Sequence, residues 1–285
     1  MPYATLVDAG TLARHLEDPG WAVVDCRHEL ADPARGRAAY LAAHLPGARY
    51  LHLEEDLSGP RTGTNGRHPL PDPSAFRATL ERAGIGDGAQ VVAYDAQGGM
   101  VAARLWWMLR WLGHPAAAVL DGGWGRWVDE GRPTTAALPA LRPATFTGAP
   151  DPAAAVDAAW VLAHLRDPAV VVLDARGPDR HRGEHETIDP VAGRIPGSRN
   201  RFYQENLGPN GRFKPALALA RDYAAVLRGA APGAVVASCG SGVSACHDLL
   251  AMEVAGLRGA RLYPGSWSEW CADPARPVAR GEPSP

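Results

Sequence analysis

The chain has 285 residues, 46% hydrophobic and 21% charged, with a formal net charge of −2 and four cysteines. That length exceeds one ordinary hydrophobic core, so two domains are expected. Near-neutrality argues against general nucleic-acid binding, the apolar runs are too short for a membrane span, and cysteines without C-x-x-C spacing argue against a disulfide scaffold or a zinc site.

Met1-Pro2-Tyr3-Ala4-Thr5 has no basic end followed by an apolar core, so no signal peptide is expected. With so few cysteines, a reducing, cytoplasmic location is the simplest expectation. Ala22-Val23-Val24-Asp25-Cys26-Arg27 is a β-branched apolar run and predicts a strand. Ala43-His44-Leu45-Pro46-Gly47-Ala48 follows, then a polar stretch holding Glu54 and His68-Pro69-Leu70-Pro71. Val91-Val92-Ala93-Tyr94-Asp95 predicts a second strand, and Arg104 to Leu112 a helix stopped by Gly113 and Pro115. Val119-Leu120 is a further short strand, before Gly123-Trp124-Gly125-Arg126-Trp127. The tryptophans Trp106, Trp107, Trp111, Trp124 and Trp127 read as core and inter-domain packing.

Residues 136–157 are rich in Pro and Ala without a period and read as a linker. The same series then restarts. Val171-Val172-Leu173-Asp174-Ala175-Arg176 matches the first strand, and Gly193-Arg194-Ile195-Pro196-Gly197-Ser198 the Pro-Gly turn. Val235-Val236-Ala237-Ser238-Cys239 matches the second strand, and Ser266-Trp267-Ser268-Glu269-Trp270 the Trp pair. Equal order and similar offsets mark a duplicated domain, residues 1–135 and 158–285. Alternating strand and helix patterns imply two α/β domains, each a mostly parallel sheet with helices on both faces. In such sheets, sites form at the C-terminal ends of strands.

Cys239 occupies such an end. Gly240-Ser241-Gly242-Val243-Ser244 follows, then a helical pattern from Cys246 to Gly256. Glycines let successive N–H groups turn inward as a donor site for negative charge, and the helix end adds partial positive charge. Both favour a thiolate, so Cys239 is the candidate nucleophile. Asp95 holds the same place in the first copy and cannot act as a sulfur nucleophile; that copy is expected to be inactive. The plainer readings are a core cysteine at Cys239, a loop-shaping hydroxyl at Ser241, an exposed loop histidine at His68, a surface acid at Glu54 and a helix cap at Asp95.

With these motifs the chain resembles the tandem-domain rhodanese family of sulfurtransferases over nearly its whole length. The uncharged loop Cys239-Gly240-Ser241-Gly242-Val243-Ser244 is similar to the mercaptopyruvate branch rather than the thiosulfate branch of animal type, which carries basic side chains there. The resemblance implies a Cys239 persulfide held by the loop Gly240, Ser241, Gly242, Val243 and Ser244. Ser241 and His68 would act in catalysis, with Glu54 as the nearest counterpart of an upstream acid. Arg182 would hold the donor carboxylate. The second arginine of that branch falls near Thr187, where there is none, so Arg194 is a candidate substitute. Thiosulfate stays open as a donor, held by Arg176, Arg180 and Arg194. No metal or cofactor is implied. The partners expected are a small-molecule sulfur donor and a thiol, thioredoxin or cyanide acceptor. The competing reading from another class is a non-enzymatic persulfide carrier. A cysteine phosphatase is set aside, because the loop lacks the arginine that would hold phosphate.

Overall fold

The computed structural model describes residues 2–282 and divides into two compact units. The first comprises Met1–Gly59, Leu70–Asp151 and Pro209–Phe213; the second comprises Pro60–Pro69, Pro152–Gly208 and Lys214–Pro285. The contiguous halves expected from the repeat thus trade two short loops. Within the second unit, the Arg67 N–H donates to Ser268 Oγ at 2.9 Å, and Arg67 Nη1 reaches Asp189 Oδ1 at 2.6 Å. Within the first, Arg212 Nε and the Phe213 N–H both donate to the Asp121 carboxylate at 2.8 Å.

The first unit runs β1 (Leu6–Val7), α1 (Ala9–Arg14), β2 (Trp21–Asp25), α2 (Pro33–Ala42), β3 (Arg49–Tyr50), α3 (Pro73–Arg82), β4 (Gln90–Tyr94), α4 (Ala102–Trp111), β5 (Ala117–Leu120) and α5 (Gly123–Asp129). Its sheet has the order β1-β5-β4-β2-β3, every pair parallel. Every residue of β4 is buried, as an interior parallel strand covered on both faces requires. Its core joins Leu12, Val23, Leu45, Val92, Tyr94, Leu120 and Trp127.

The second unit runs α6 (Ala158–Ala163), β6 (Val171–Asp174), α7 (Pro178–Arg182), β7 (Arg199–Asn200), α8 (Ala216–Leu227), β8 (Val235–Ser238), α9 (Ser244–Val254), β9 (Arg261–Leu262) and α10 (Ser266–Trp270), with two short 3₁₀ turns. Its parallel order β7-β6-β8-β9 repeats β3-β2-β4-β5, confirming the duplication at the level of topology. The counterpart of β1 shrinks to a single bridge, Ala155 to Leu262. Asp8 caps α1 through the Thr11 N–H and Asp157 caps α6 through the Trp160 N–H, the same device in each copy.

Each unit also buries one Asp-x-Arg ion pair, Asp25–Arg27 at 2.6 Å and Asp174–Arg176 at 2.7 Å. Arg27 lies over the Trp124 ring at 4.1 Å and Arg176 over Trp267 at 4.9 Å. Their Nη2 groups donate to the carbonyls of Ala43 and Gly193, at 2.6 and 2.9 Å. The motif therefore ties the end of β2 or β6 to the Pro-Gly turn and to the Trp helix. No helix among the described residues is long and apolar enough to cross a membrane.

Candidate active site

Strand β8 is a fully buried β-branched run, and it delivers Cys239 to the C-terminal edge of its sheet. The side chain is 2% exposed. Helix α9 opens at Ser244, two residues earlier than its apolar pattern suggests, so the loop is only as long as the backbone needs to turn. Gly242 makes that turn at φ +73°, and its N–H donates to Cys239 Sγ at 3.1 Å. A left-handed residue is needed here, and glycine supplies it without a steric penalty.

The first turn of α10 pins the loop. Trp267 N–H donates to the Cys239 carbonyl and Ser268 N–H to the Gly240 carbonyl, both at 2.9 Å. Cys239 N–H donates to Ser266 Oγ at 3.0 Å, and Ser266 itself sits at φ +52° with no exposure. A buried non-glycine residue in that region is unusual and is held here by its own hydroxyl, which donates to the Tyr263 carbonyl at 2.9 Å. Nothing in the sequence marked Ser266 beyond its place beside the Trp motif.

The first unit shows what such a loop is built to hold. The Asp95 carboxylate accepts from the N–H groups two, four, six and seven residues on: Gln97, Gly99, Val101 and Ala102, at 2.8, 2.8, 2.7 and 2.9 Å. Asp95 thus caps the segment leading into α4. By the repeat, the matching positions after Cys239 are Ser241, Val243, Ala245 and Cys246. A carboxylate oxygen stands two bonds beyond Cβ, and the outer sulfur of a cysteine persulfide stands equally two bonds beyond it. The first copy fills its loop with a fixed anion where the second presents a thiol.

His68 and Ser241 come together as the resemblance implies. His68 Nδ1 lies 2.8 Å from Ser241 Oγ; the histidine is 2% exposed and the serine 6%. The tautomer sets which of the two donates. Glu54 belongs to the first unit, in the turn after His52, where its own N–H donates to His52 Nδ1 at 3.1 Å.

The arginines are distributed differently from expectation. Arg182 pairs with Glu184 at 2.7 Å and faces Glu282 at 3.6 Å, so its guanidinium serves the C-terminal segment. Arg194 does likewise, donating from Nη1 to the Gly281 carbonyl at 2.6 Å. Arg176 is spent in the buried pair with Asp174, and the same pair recurs in the unit that lacks the thiol, which marks it as structural. The guanidiniums that stand at the loop are Arg180 and Arg67. A Cβ placed on Gly240 would lie 3.0 Å from Arg67 Nη2 and 3.7 Å from both terminal nitrogens of Arg180. Arg180 and Arg182 are two residues apart on a five-residue helix, and that spacing sends side chains to nearly opposite sides.

Where a second arginine was sought near Thr187, the structure has carboxylates. Arg180 is bonded to Glu186 through Nε and Nη2, and Asp189 bridges Arg180 Nη2 and Arg67 Nη1 at 3.0 and 2.6 Å. Burial opposes charge on Glu186, yet donation from Arg180 and from the N–H groups of Asp189 and Ile188 holds its carboxyl below the usual range. Among the described residues no group of three His, Cys, Asp or Glu side chains is placed to hold a metal ion.

The Rhodanese-like domain family model matches residues 8–130 and 157–273. A probable 3-mercaptopyruvate sulfurtransferase of Pseudomonas aeruginosa is 47% identical, over 99% of this chain and 100% of its own. A putative thiosulfate sulfurtransferase of Mycobacterium tuberculosis is 39% identical, over 97% of each chain. Among solved structures, the SseA 3-mercaptopyruvate sulfotransferase of Escherichia coli superposes with a TM-score of 0.81 at 29% identity, covering 94% of this chain and 100% of that one.

Proposed function

Because the chain belongs to the rhodanese family and is a sulfurtransferase, we propose that it moves the sulfur of 3-mercaptopyruvate to a thiol or cyanide acceptor through a persulfide on Cys239. The observation that carries this reading is the Cys239 loop itself: a buried thiol at a strand end, an N–H donor already on its sulfur, and a sibling loop that binds an anion through four N–H groups. The thiolate attacks the donor sulfur, the carbon–sulfur bond breaks, and its electron pair passes to the enolate of pyruvate. The proton that leaves the donor thiol ends on the enolate carbon. Cys239 is left as a persulfide anion, stabilised by fixed donors that need no rearrangement as charge develops.

Ser241 and His68 would carry that proton, a role supported by the hydrogen bond between them and by the place of Ser241 two residues after Cys239. Arg180 and Arg67 supply positive charge for the donor carboxylate. In the second half-reaction an acceptor thiolate attacks the outer sulfur, the sulfur–sulfur bond breaks, and the electron pair returns to Cys239. The first unit has Asp95 in the nucleophile's place, and its own cysteine, Cys26, is buried after β2, away from that position in the repeat. Glutathione-like thiols, thioredoxin and cyanide are the acceptors this chemistry serves, in a reducing, cytoplasmic setting.

Thiosulfate is the second donor reading, favoured by the two guanidiniums beside Gly240. The test is mass spectrometry of the protein after each donor, with Cys239→Ser beside the wild type. Wild type should gain one sulfur and turn over many times; Cys239→Ser should do neither. Full transfer by Cys239→Ser would overturn the assignment. Sulfur uptake only from a protein partner would favour a carrier.

A further inference from the structure

We propose that the Arg67–Asp189–Arg180 bridge sets the charge shown to a sulfur donor at the Cys239 loop, and so selects donors by their charge. The inference rests on Cys239 as the nucleophile and adds what governs its donor. Asp189 gives one oxygen to each arginine, Oδ1 to Arg67 at 2.6 Å and Oδ2 to Arg180 at 3.0 Å. The carboxylate is 2% exposed, so its charge is little screened by water.

Each guanidinium keeps a free terminal nitrogen. Arg67 donates through Nη1, and Arg180 through Nε and Nη2; among the described residues neither Arg67 Nη2 nor Arg180 Nη1 has a hydrogen-bonding partner. Those two ends stand 3.0 and 3.7 Å from the Cβ position of Gly240, the residue next to the nucleophile. Asp189 thereby orients two donors toward the loop and neutralises much of their field. The wider cluster sets Arg67, Arg176 and Arg180 against Asp174, Glu186 and Asp189, so cations and anions balance. A donor with a single carboxylate gains two directed hydrogen bonds and needs no net field. A compact dianion such as thiosulfate requires excess positive charge, which Asp189 removes.

Asp189→Asn tests this. It keeps an acceptor for one guanidinium and adds one unit of net positive charge. Two readouts are needed, and the first is independent of sulfur transfer. Alkylation of Cys239 by iodoacetate, an anion, is compared with alkylation by neutral iodoacetamide, each followed at the Cys239 peptide. Both reagents need the same thiolate, so the rate ratio reports local charge alone. That ratio should rise in Asp189→Asn by roughly threefold to tenfold and fall back in about 0.5 M salt. The second readout is the ratio of kcat/KM for thiosulfate over 3-mercaptopyruvate, which should rise on the order of tenfold.

Arg67→Gln should move the alkylation ratio the opposite way, and it stands in should Asp189→Asn fail to fold. Unchanged alkylation ratios in folded Asp189→Asn or Arg67→Gln would overturn the proposal. Alkylation ratios that shift as stated in a protein that accepts sulfur from neither donor would support the charge assignment and refute the donor reading instead.

Discussion

Gly242→Ala is the sharpest perturbation of the loop. The residue sits at φ +73°, where a side chain costs about 1 kcal/mol or more. Its Cβ would stand 2.3 Å from the Pro264 carbonyl oxygen and 2.9 Å from that residue's C and Cα, against an ordinary contact of 3.4 Å or more. Relief therefore needs a shift of about 1 Å, and the obstacle is backbone. Pro264 cannot retreat alone, because Tyr263 N–H is bonded to Ala237 in β8, and the N–H groups of Trp267 and Ser268 hold Cys239 and Gly240. The displaced group is instead the Gly242 N–H that serves Cys239 Sγ. A misplacement of about 1 Å at a reacting centre costs roughly a hundredfold in rate. Gly242→Ala should thus load sulfur about a hundredfold more slowly, measured as persulfide formation by rapid-quench mass spectrometry, with near-native circular dichroism. Gly240→Ala is the control. The three atoms nearest its Cβ are guanidinium nitrogens, which can swing away, so a change of at most several-fold, in KM, is expected. A folded Gly242→Ala within about fivefold of wild type would refute the view that loop geometry sets the rate.

Other outcomes follow from the same structure. Asp95→Asn offers one acceptor oxygen to two pairs of N–H groups and turns its own amide hydrogens on the remainder; it should cost the first unit about 2–4 kcal/mol, seen as a lower midpoint in chemical denaturation. Arg182→Ala should leave mercaptopyruvate kinetics within about twofold, since an exposed pair with Glu184 contributes little, whereas Arg180→Ala should raise KM about tenfold or more. Burial pushes the Asp248 carboxyl up to about 8, where Asn206 Nδ2 donates to it at 2.7 Å. The folded state then binds the extra proton between the ordinary carboxylate range and pH 8, so stability should fall as pH rises across that window and level off above it. Asp248→Asn should flatten that fall in thermal melts; an unchanged slope would assign the proton elsewhere.

Much of the fold was legible because its signals are local. Buried parallel strands write themselves as β-branched runs, and the duplicated Asp-x-Arg, Pro-Gly and Trp motifs each build the same tie in both units. The setting of the candidate nucleophile was legible because strand, glycine loop and helix lie in one stretch of chain. The pairing of His68 with Ser241, 173 residues away, was reached only through the family resemblance. The arginines were legible only in part: Arg180 stood among the candidates for holding thiosulfate, but not for the mercaptopyruvate carboxylate, and Arg67 was not among them. Choosing Arg180 over Arg182 requires the rotational phase of a one-turn helix, which a charged run does not reveal. Arg67 required knowing that loop 60–69 packs in the second unit, a consequence of its bond to Asp189, 122 residues distant. A basic residue directly before His68 was the one available clue.

The Asp95 side chain also bears on timing. One unit holds a carboxyl group in its loop for the life of the protein; under the persulfide reading proposed above, the other takes on an outer sulfur and gives it up once per catalytic cycle. Whatever free energy the Cys239 loop releases on receiving an outer sulfur must be returned when that sulfur leaves. Loading should therefore make the second unit harder to unfold, and a loop that held the sulfur as firmly as its sibling holds a carboxylate would store it rather than pass it on. The grip of those N–H groups then sets how reactive an acceptor must be, a threshold that separates thiols able to discharge the enzyme from those it ignores.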